Sequence, residues 1–190
     1  GLSAKQVADA LPAVVTLATA AGNSLATTVD LVTSVIGVFD KTAADTGDIA
    51  NKITAAANSS KVSVDKLSLA FQYVGNTAAQ TGVSFEETTA ALAAMSNAGI
   101  TSGSTLGTGL RHFLTEVQKP SEEFLASLRR IGLNVSDIDV RAKGLVNVIT
   151  TLRQAGFVAT DAIKSFDIRS ASAFNGLIAN QRRSRSNLKI

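Results

Sequence analysis

The sequence holds one histidine, in the stretch GTGLRHFLTEVQKP (Gly107 to Pro120), with a glutamate four residues further on. At that spacing His112 and Glu116 are neighbours across one helical turn, where a carboxylate favours the protonated imidazole. Such a pair could form a pH-sensitive contact or a general-base pair. In a chain without cysteine the nucleophile would have to be Ser or Thr, and no G-x-S-x-G elbow presents one. The pair is therefore read as an exposed helical ion pair, worth a few tenths of a kcal/mol.

The glycines before it, in SGSTLGTG (Ser102 to Gly109), have no following G-K-[ST] and no preceding strand, so a phosphate cradle is not indicated. Gly103, Gly107 and Gly109 are expected instead to let a loop or first helical turn pass close to a neighbouring backbone. The acid pairs Glu86 with Glu87 and Glu122 with Glu123 fall at helix starts, where the helix dipole favours them without catalysis. A muramidase needs two positioned carboxylates in a cleft, and a metallopeptidase needs more ligands than one His supplies. No catalytic, cofactor-binding or metal-binding residue is assigned, no cofactor is expected, and the chain is read as not an enzyme.

The elements around these residues are spelled out by their ends. Ser3 with Gln6, Ser84 with Glu87, and Thr42 with Asp45 fit helix N-caps or capping boxes, and Ser63 and Ser121 fit caps as well. Leu2 against Val7 and Val62 against Leu67 fit hydrophobic staples. Gly99 and Gly132 fit the residue just beyond a helix C-terminus. Between these signals the apolar spacing is helical, as in Leu25, Val29, Val32, Ile36, Phe39 and in Val64, Leu67, Phe71, Val74, Ala78. Leu106, Leu110, Phe113, Leu114 and Val117 form one helix-packing stripe, while Arg111, His112, Thr115 and Glu116 lie elsewhere on that helix. The run LVNVITTL (Leu145 to Leu152) has strand propensity but a helical face. The fold class is all-α, with multiple short capped helices packed as hairpins through Ala-rich interfaces. Pro12 predicts a kink or restart near Leu11, and Gly75 a loosening of its helix. The pattern V-S-[VF]-[DE] recurs at Val62 and Val83 and hints at a stacked helical-hairpin repeat.

At 190 residues the chain can bury one sizeable core, and with 5% aromatic residues and no Trp it must pack helices closely. The absence of cysteine excludes disulfides and thiolate metal sites. LPAVVTLATAAG (Leu11 to Gly22) is shorter than the roughly 20 residues of a spanning helix. The start, GLSAKQ, reads as internal to something longer and lacks signal-peptide character. Mean hydropathy of +0.22 predicts that some apolar surface is buried against other copies or other proteins.

The net charge of +3 is unevenly placed: up to Leu110 there are five Lys/Arg against eight Asp/Glu, and beyond it thirteen against seven. The densest basic run, QRRSRSNLK, places Arg182, Arg183, Arg185 and Lys189 as contacts for an anionic partner, or else as a solvated tail. No aromatic residue interleaves them, so no stacking platform for single strands is built. Residues 1–178 are read as a helical core region and 179–190 as a basic tail or linker.

In order, GLSAKQVADALPAVVTLATAAG, LATTVDLVTSVIGVFD and VDKLSLAFQYVGNTAAQTGVSFEETTAALAAMSNAGI resemble the core region of phage tail tape measure proteins. GTGLRHFLTEVQKPSEEFLASLRRIGL resembles that family's Gly-x-x-Leu-Arg helix, its break and its Leu-rich helix. SFDIRSASAFNGLI (Ser165 to Ile178) is similar to its Phe-Gly-x-Arg-Ala segment, with Asp167 where Gly is usual and Ser170 where Ala is usual. The resemblance implies a structural virion component that acts in tail assembly, length determination and genome ejection. It implies as partners other copies of the chain (a trimer, alternatively a hexamer), tail tube proteins, and tail tip or baseplate proteins. It places the protein in the tail tube lumen or tip, and at the host envelope on ejection. The alternative is a membrane-active module that lies on the host membrane and helps DNA across. No specific nucleic acid is expected as a partner, because so small a net charge supports only weak, salt-sensitive binding.

Overall fold

A computed structural model describes residues 4–165, 171, 172 and 174–177, and among these every regular element is a helix. In order they are α1 (Ala4–Ala21), α2 (Leu25–Val38), α3 (Thr46–Ser59), α4 (Val64–Gln80), α5 (Phe85–Asn97), α6 (Gly103–Gln118), α7 (Glu122–Arg130), α8 (Val140–Lys143), α9 (Leu145–Gln154) and α10 (Ala159–Ser165). Short 3-10 turns precede α3 and α8, at Ala43–Asp45 and Val135–Ile138.

Local chemistry sets most of these ends. The hydroxyls of Ser24, Ser63, Ser84, Ser102 and Ser121 each accept from a backbone N–H in the first turn of the following helix. Each cap thereby satisfies a donor that the helix itself leaves unpaired. Ser84 with Glu87 and Thr42 with Asp45 complete capping boxes. The cap and staple read at Ser3, Leu2 and Val7 lie outside the residues whose side chains are described. After α5 and α7 the chain turns at Gly99 and Gly132, with φ of 111° and 76°, as read. There Ile100 and Leu133 donate back to the carbonyls of Met95 and Leu128, at 3.2 and 2.9 Å.

One expectation is corrected in part: Pro12 does not restart the helix, since α1 runs unbroken through it. A proline removes one donor only, on the exposed side of the helix, while Ala10, Val14, Leu17 and Ala18 hold the opposite side in the core. At Gly75 α4 is continuous; a Cβ there would sit 3.5 Å from Val38 Cγ1, so α2 packs close against α4 at this point.

The repeat is real in kind but has another period. Caps Ser24, Ser63 and Ser102 follow one another at intervals of 39 residues and begin α2, α4 and α6. Val62 and Val83 instead precede successive helices of one chain reversal. Burial follows the same interval: Thr28, Leu67 and Leu106 are buried, as are Val32, Phe71 and Leu110, and Val35, Val74 and Phe113. α4 and α6 run parallel, since Gly103 lies against Lys66 and Gly107 against Ala70. α2 runs parallel to both: Asn23, just before its Ser24 cap, reaches Asp65, and its last residue Val38 reaches Gly75. α3 and α5 return the chain and pair in a second layer, where Lys61 N donates to Asn97 Oδ1 at 3.0 Å. The first six helices thus stack as hairpins around one core, the arrangement of a helical solenoid.

Two aromatic clusters anchor the ends of this core. Phe39, Phe71 and Phe85 meet at centroid distances of 5.6 to 5.9 Å, inside the stack. Phe113 of α6 stacks on Phe174 at 5.5 Å, and Phe157 contacts both Phe174 (5.0 Å) and Phe124 (5.7 Å). The second cluster fastens the lobe α7 to α10 onto the last hairpin.

Candidate functional site

α6 carries the residues that sequence reasoning singled out, and one side of it is buried in the core. Leu106, Leu110, Phe113, Leu114 and Val117 are all buried within the chain's own core. The same helix meets α4 through glycine: a Cβ at Gly103 would lie 2.6 Å from the Lys66 carbonyl oxygen, and one at Gly107 would lie 2.4 Å from that of Ala70. Gly103 and Gly107 therefore make the close backbone approach expected of them, and Gly109 is buried on the same helix.

His112 sits on the exposed surface of α6. Glu116 has a structural task that its spacing to His112 did not reveal. Its Oε1 accepts from Ser121 N at 2.7 Å and from the Ser121 hydroxyl, tying α6 to the start of α7 across Lys119 and Pro120. In this segment the Ser102 and Ser121 hydroxyls are used as helix caps, and the Ser121 hydroxyl also donates to Glu116. No group of three or more His, Cys, Asp or Glu that could hold a metal ion occurs among the described residues. None of the described helices is long and apolar enough to cross a membrane. Arg182, Arg183, Arg185 and Lys189 lie outside the described residues.

The paired acids at the start of α5 divide two tasks. Glu86 faces Lys52 of α3 at 2.7 Å and Lys41, in the turn after α2, at 3.4 Å; Lys52 also reaches Asp48. Partial burial works to raise the Glu86 carboxyl, but the Lys52 hydrogen bond, its own backbone N–H and the charges of Lys41 and Lys52 outweigh it and hold the group at about 2. Because the folded value lies below the unfolded one, this stabilisation is complete above about pH 4.5 and is lost as pH falls toward 2. The side chains are about a third exposed, so solvent screening reduces the contribution to about 1 kcal/mol. Between pH 5 and pH 2 the parent chain should lose about 1 kcal/mol more unfolding free energy in urea than Glu86→Gln. Parallel pH profiles for the two proteins would show that this ion-pair cluster contributes nothing.

Glu87 caps two helices at once. It completes the box with Ser84 and accepts from Leu145 N, the first N–H of α9, at 2.9 Å. A Cβ on Gly144 would lie 3.1 Å from the same carboxylate oxygen, and φ of 78° there suits only glycine well. Glu87→Ala is expected to cost about 1–2 kcal/mol in urea unfolding, with Glu87→Gln recovering most of it, since a carboxamide oxygen can still accept. Equal losses in the two variants would mean that the reach to α9 is not the cause.

Three further ties join distant segments. Arg141 donates to the Gln80 carbonyl at the end of α4, where a cation also suits the helix dipole. Asp161, buried at the start of α10, accepts from Val158 N at 3.0 Å and pairs with Arg130 of α7 at 2.6 Å. Ser127 and Ser165 hydroxyls meet at 3.1 Å beside that pair. Nothing local in the sequence pointed to the pairing of Arg130 with Asp161. A cleft of about 440 Å³ opens between the ends of α4 and α6 and the α8 segment, floored by Leu114, Val117 and Val140. On its rim Asp139 is used to cap α8 and Arg141 is held by Gln80, so both are structural. The chemistry built here is helix docking.

A family model described as phage-related minor tail protein matches residues 1–182. The chain is 30% identical over 155 residues to a tape measure protein of Pneumococcus phage Dp-1, a match covering 82% of this chain and 13% of that protein. The chain thus spans about an eighth of the length of this curated relative. No solved structure matches it.

Proposed function

We propose, from the premise that this chain belongs to the phage-related minor tail protein family, that it is a compact helical module of a tape measure protein, acting in tail assembly and length determination and in genome ejection. It sits in the virion tail, in the tube lumen or at the tip, and reaches the host envelope on ejection. Its partners are other copies of itself, tail tube proteins and tail tip or baseplate proteins. It serves by presenting helix faces, and no catalytic step is assigned to it.

The observation that carries the compact reading is the parallel stacking of α2, α4 and α6 at a 39-residue interval, closed by backbone contact at Gly103 and Gly107. Stacked helices advance by about 8–10 Å per hairpin. A continuous helix of 39 residues would advance by about 58 Å. The two cases differ by a length that electron microscopy of tails resolves. Removing residues 63–101 in frame deletes one repeat and lets Ser102 take the place of the Ser63 cap. Tails of normal length, or a failure to assemble tails, is expected of a compact module. Tails shortened by about 58 Å would mean that the segment is stretched along the tube as ruler.

No specific feature of the described residues favours the membrane-active alternative, whose basic tail lies outside them.

A further inference from the structure

The 39-residue repeat makes equivalent positions comparable, and the first hairpin differs from the later ones on one face. Leu25, first residue of α2, is 44% exposed, whereas its counterpart Val64 in α4 is 1% exposed and Gly103 in α6 is buried. One turn on, Val29 is half-buried where Ser68 and Gly107 are buried. In the second layer Leu11 is 45% exposed, but Ala50 and Thr89, one and two repeats later, are buried. Val15 is 42% exposed, against a half-buried Thr54 and a buried Ala93.

In α4 and α6 this face receives the preceding hairpin: Gly75 meets Val38 of α2, and Gly103 and Gly107 meet Lys66 and Ala70 of α4. The opposite end of the stack is closed, because the lobe α7 to α10 covers α6 through Phe113, Phe157 and Phe174. Among the described residues the stack is thus finished on one side and open on the other, with large apolar side chains at repeat-interface positions. Solenoids end in polar capping repeats when they end at all.

We infer that the face formed by Leu11, Val15 and Leu25 is the docking surface for one more helical hairpin of this same repeat, stacked parallel to α1 and α2 and carried by the rest of the same polypeptide. The inference rests on the reading of the chain as a segment of a longer tail protein. Its relative is long enough to carry such a hairpin, since the chain spans 13% of it. A hairpin in the same polypeptide is favoured over a second copy because stacking here is head to tail. The face of another copy that would fit head to tail, the outer side of α5 and α6, is already covered by its own lobe.

The chain contains no cysteine, so single substitutions report on single positions. Leu25→Cys and Leu11→Cys are compared in the 190-residue chain and in the full-length tail protein, by maleimide labelling read on the individual peptides by mass spectrometry. Val146→Cys, at a position 50% exposed, and Val64→Cys, at a buried one, set the fast and slow limits. Leu11→Cys and Leu25→Cys should react at the fast limit in the short chain and roughly tenfold or more slower in the full-length protein. Fast reaction in both proteins would overturn the inference. Protection already present in the short chain that grows with concentration would also overturn it, by assigning the face to a second copy. The deletion of residues 63–101 tests the tape measure reading separately, since tail length does not depend on whether positions 11 and 25 are covered.

Discussion

Gly107→Ala is expected to destabilise the chain by about 3 kcal/mol, the upper end of what overpacking a core costs. The added methyl would stand 2.4 Å from the Ala70 carbonyl oxygen, 2.8 Å from Ala70 Cα and 2.9 Å from Tyr73 Cβ. Two of those atoms are backbone in the middle of α4 and cannot rotate away. The helices must separate, and the buried row of Leu106, Leu110 and Leu114 then loses its fit against α4. In a domain of this size the midpoint temperature should fall by about 6–12 °C. Gly37→Ala makes the same chemical change on α2, where a Cβ would meet nothing within 4 Å, and should stabilise by about 0.5–1 kcal/mol. Opposite signs for the two variants in thermal melts would follow from the glycine-bared crossing. An unchanged midpoint for Gly107→Ala would mean that α4 and α6 are not in backbone contact.

Phe113→Ala should cost still more, about 4 kcal/mol, as a fully enclosed phenyl ring is removed. Phe113 is the third member of the series Val35, Val74, Phe113, and its ring also stacks on Phe174. It is therefore the joint between the hairpin stack and the lobe. Beyond lower stability in urea, the variant should lose cooperativity, with amide protons of α7 to α10 exchanging earlier than those of α2 and α4. Uniform exchange across both regions would instead mean that the lobe and the stack form one unit that does not depend on this ring.

The parts of this structure that were legible in the sequence are the local ones. Ser63, Ser84 and Ser121 act within one helical turn, and Gly99 and Gly132 within one chain reversal, so residue type and spacing suffice to read them. The stripe of α6 was readable for the same reason, since helical period alone assigns its face. The restart expected at Pro12 does not occur, because Ala10, Val14, Leu17 and Ala18 hold α1 in the core on both sides of the one missing donor. Glu87 was read as a dipole partner, but its bond to Leu145 spans 58 residues and no local pattern carries it. Asp161 with Arg130 is hidden in the same way. The 39-residue repeat was hard to see because the stack conserves burial and not identity. Leu31, Ala70 and Gly109 share one buried position with three different volumes. The shared caps at Ser24, Ser63 and Ser102 were the available signal.

The central claim, that this segment works in the tail as a parallel stack of hairpins, is tested most directly by one distance measured in assembled tails. Asn76 on α4 and Thr115 on α6 are exposed, are 39 residues apart, and occupy equivalent positions of adjacent repeats. With spin labels on Asn76→Cys and Thr115→Cys, adjacent parallel helices should give a separation of about 10–20 Å, the axis spacing plus the label arms. A separation of about 58 Å, the rise of a continuous helix over the same residues, would contradict the claim and make the segment an extended ruler.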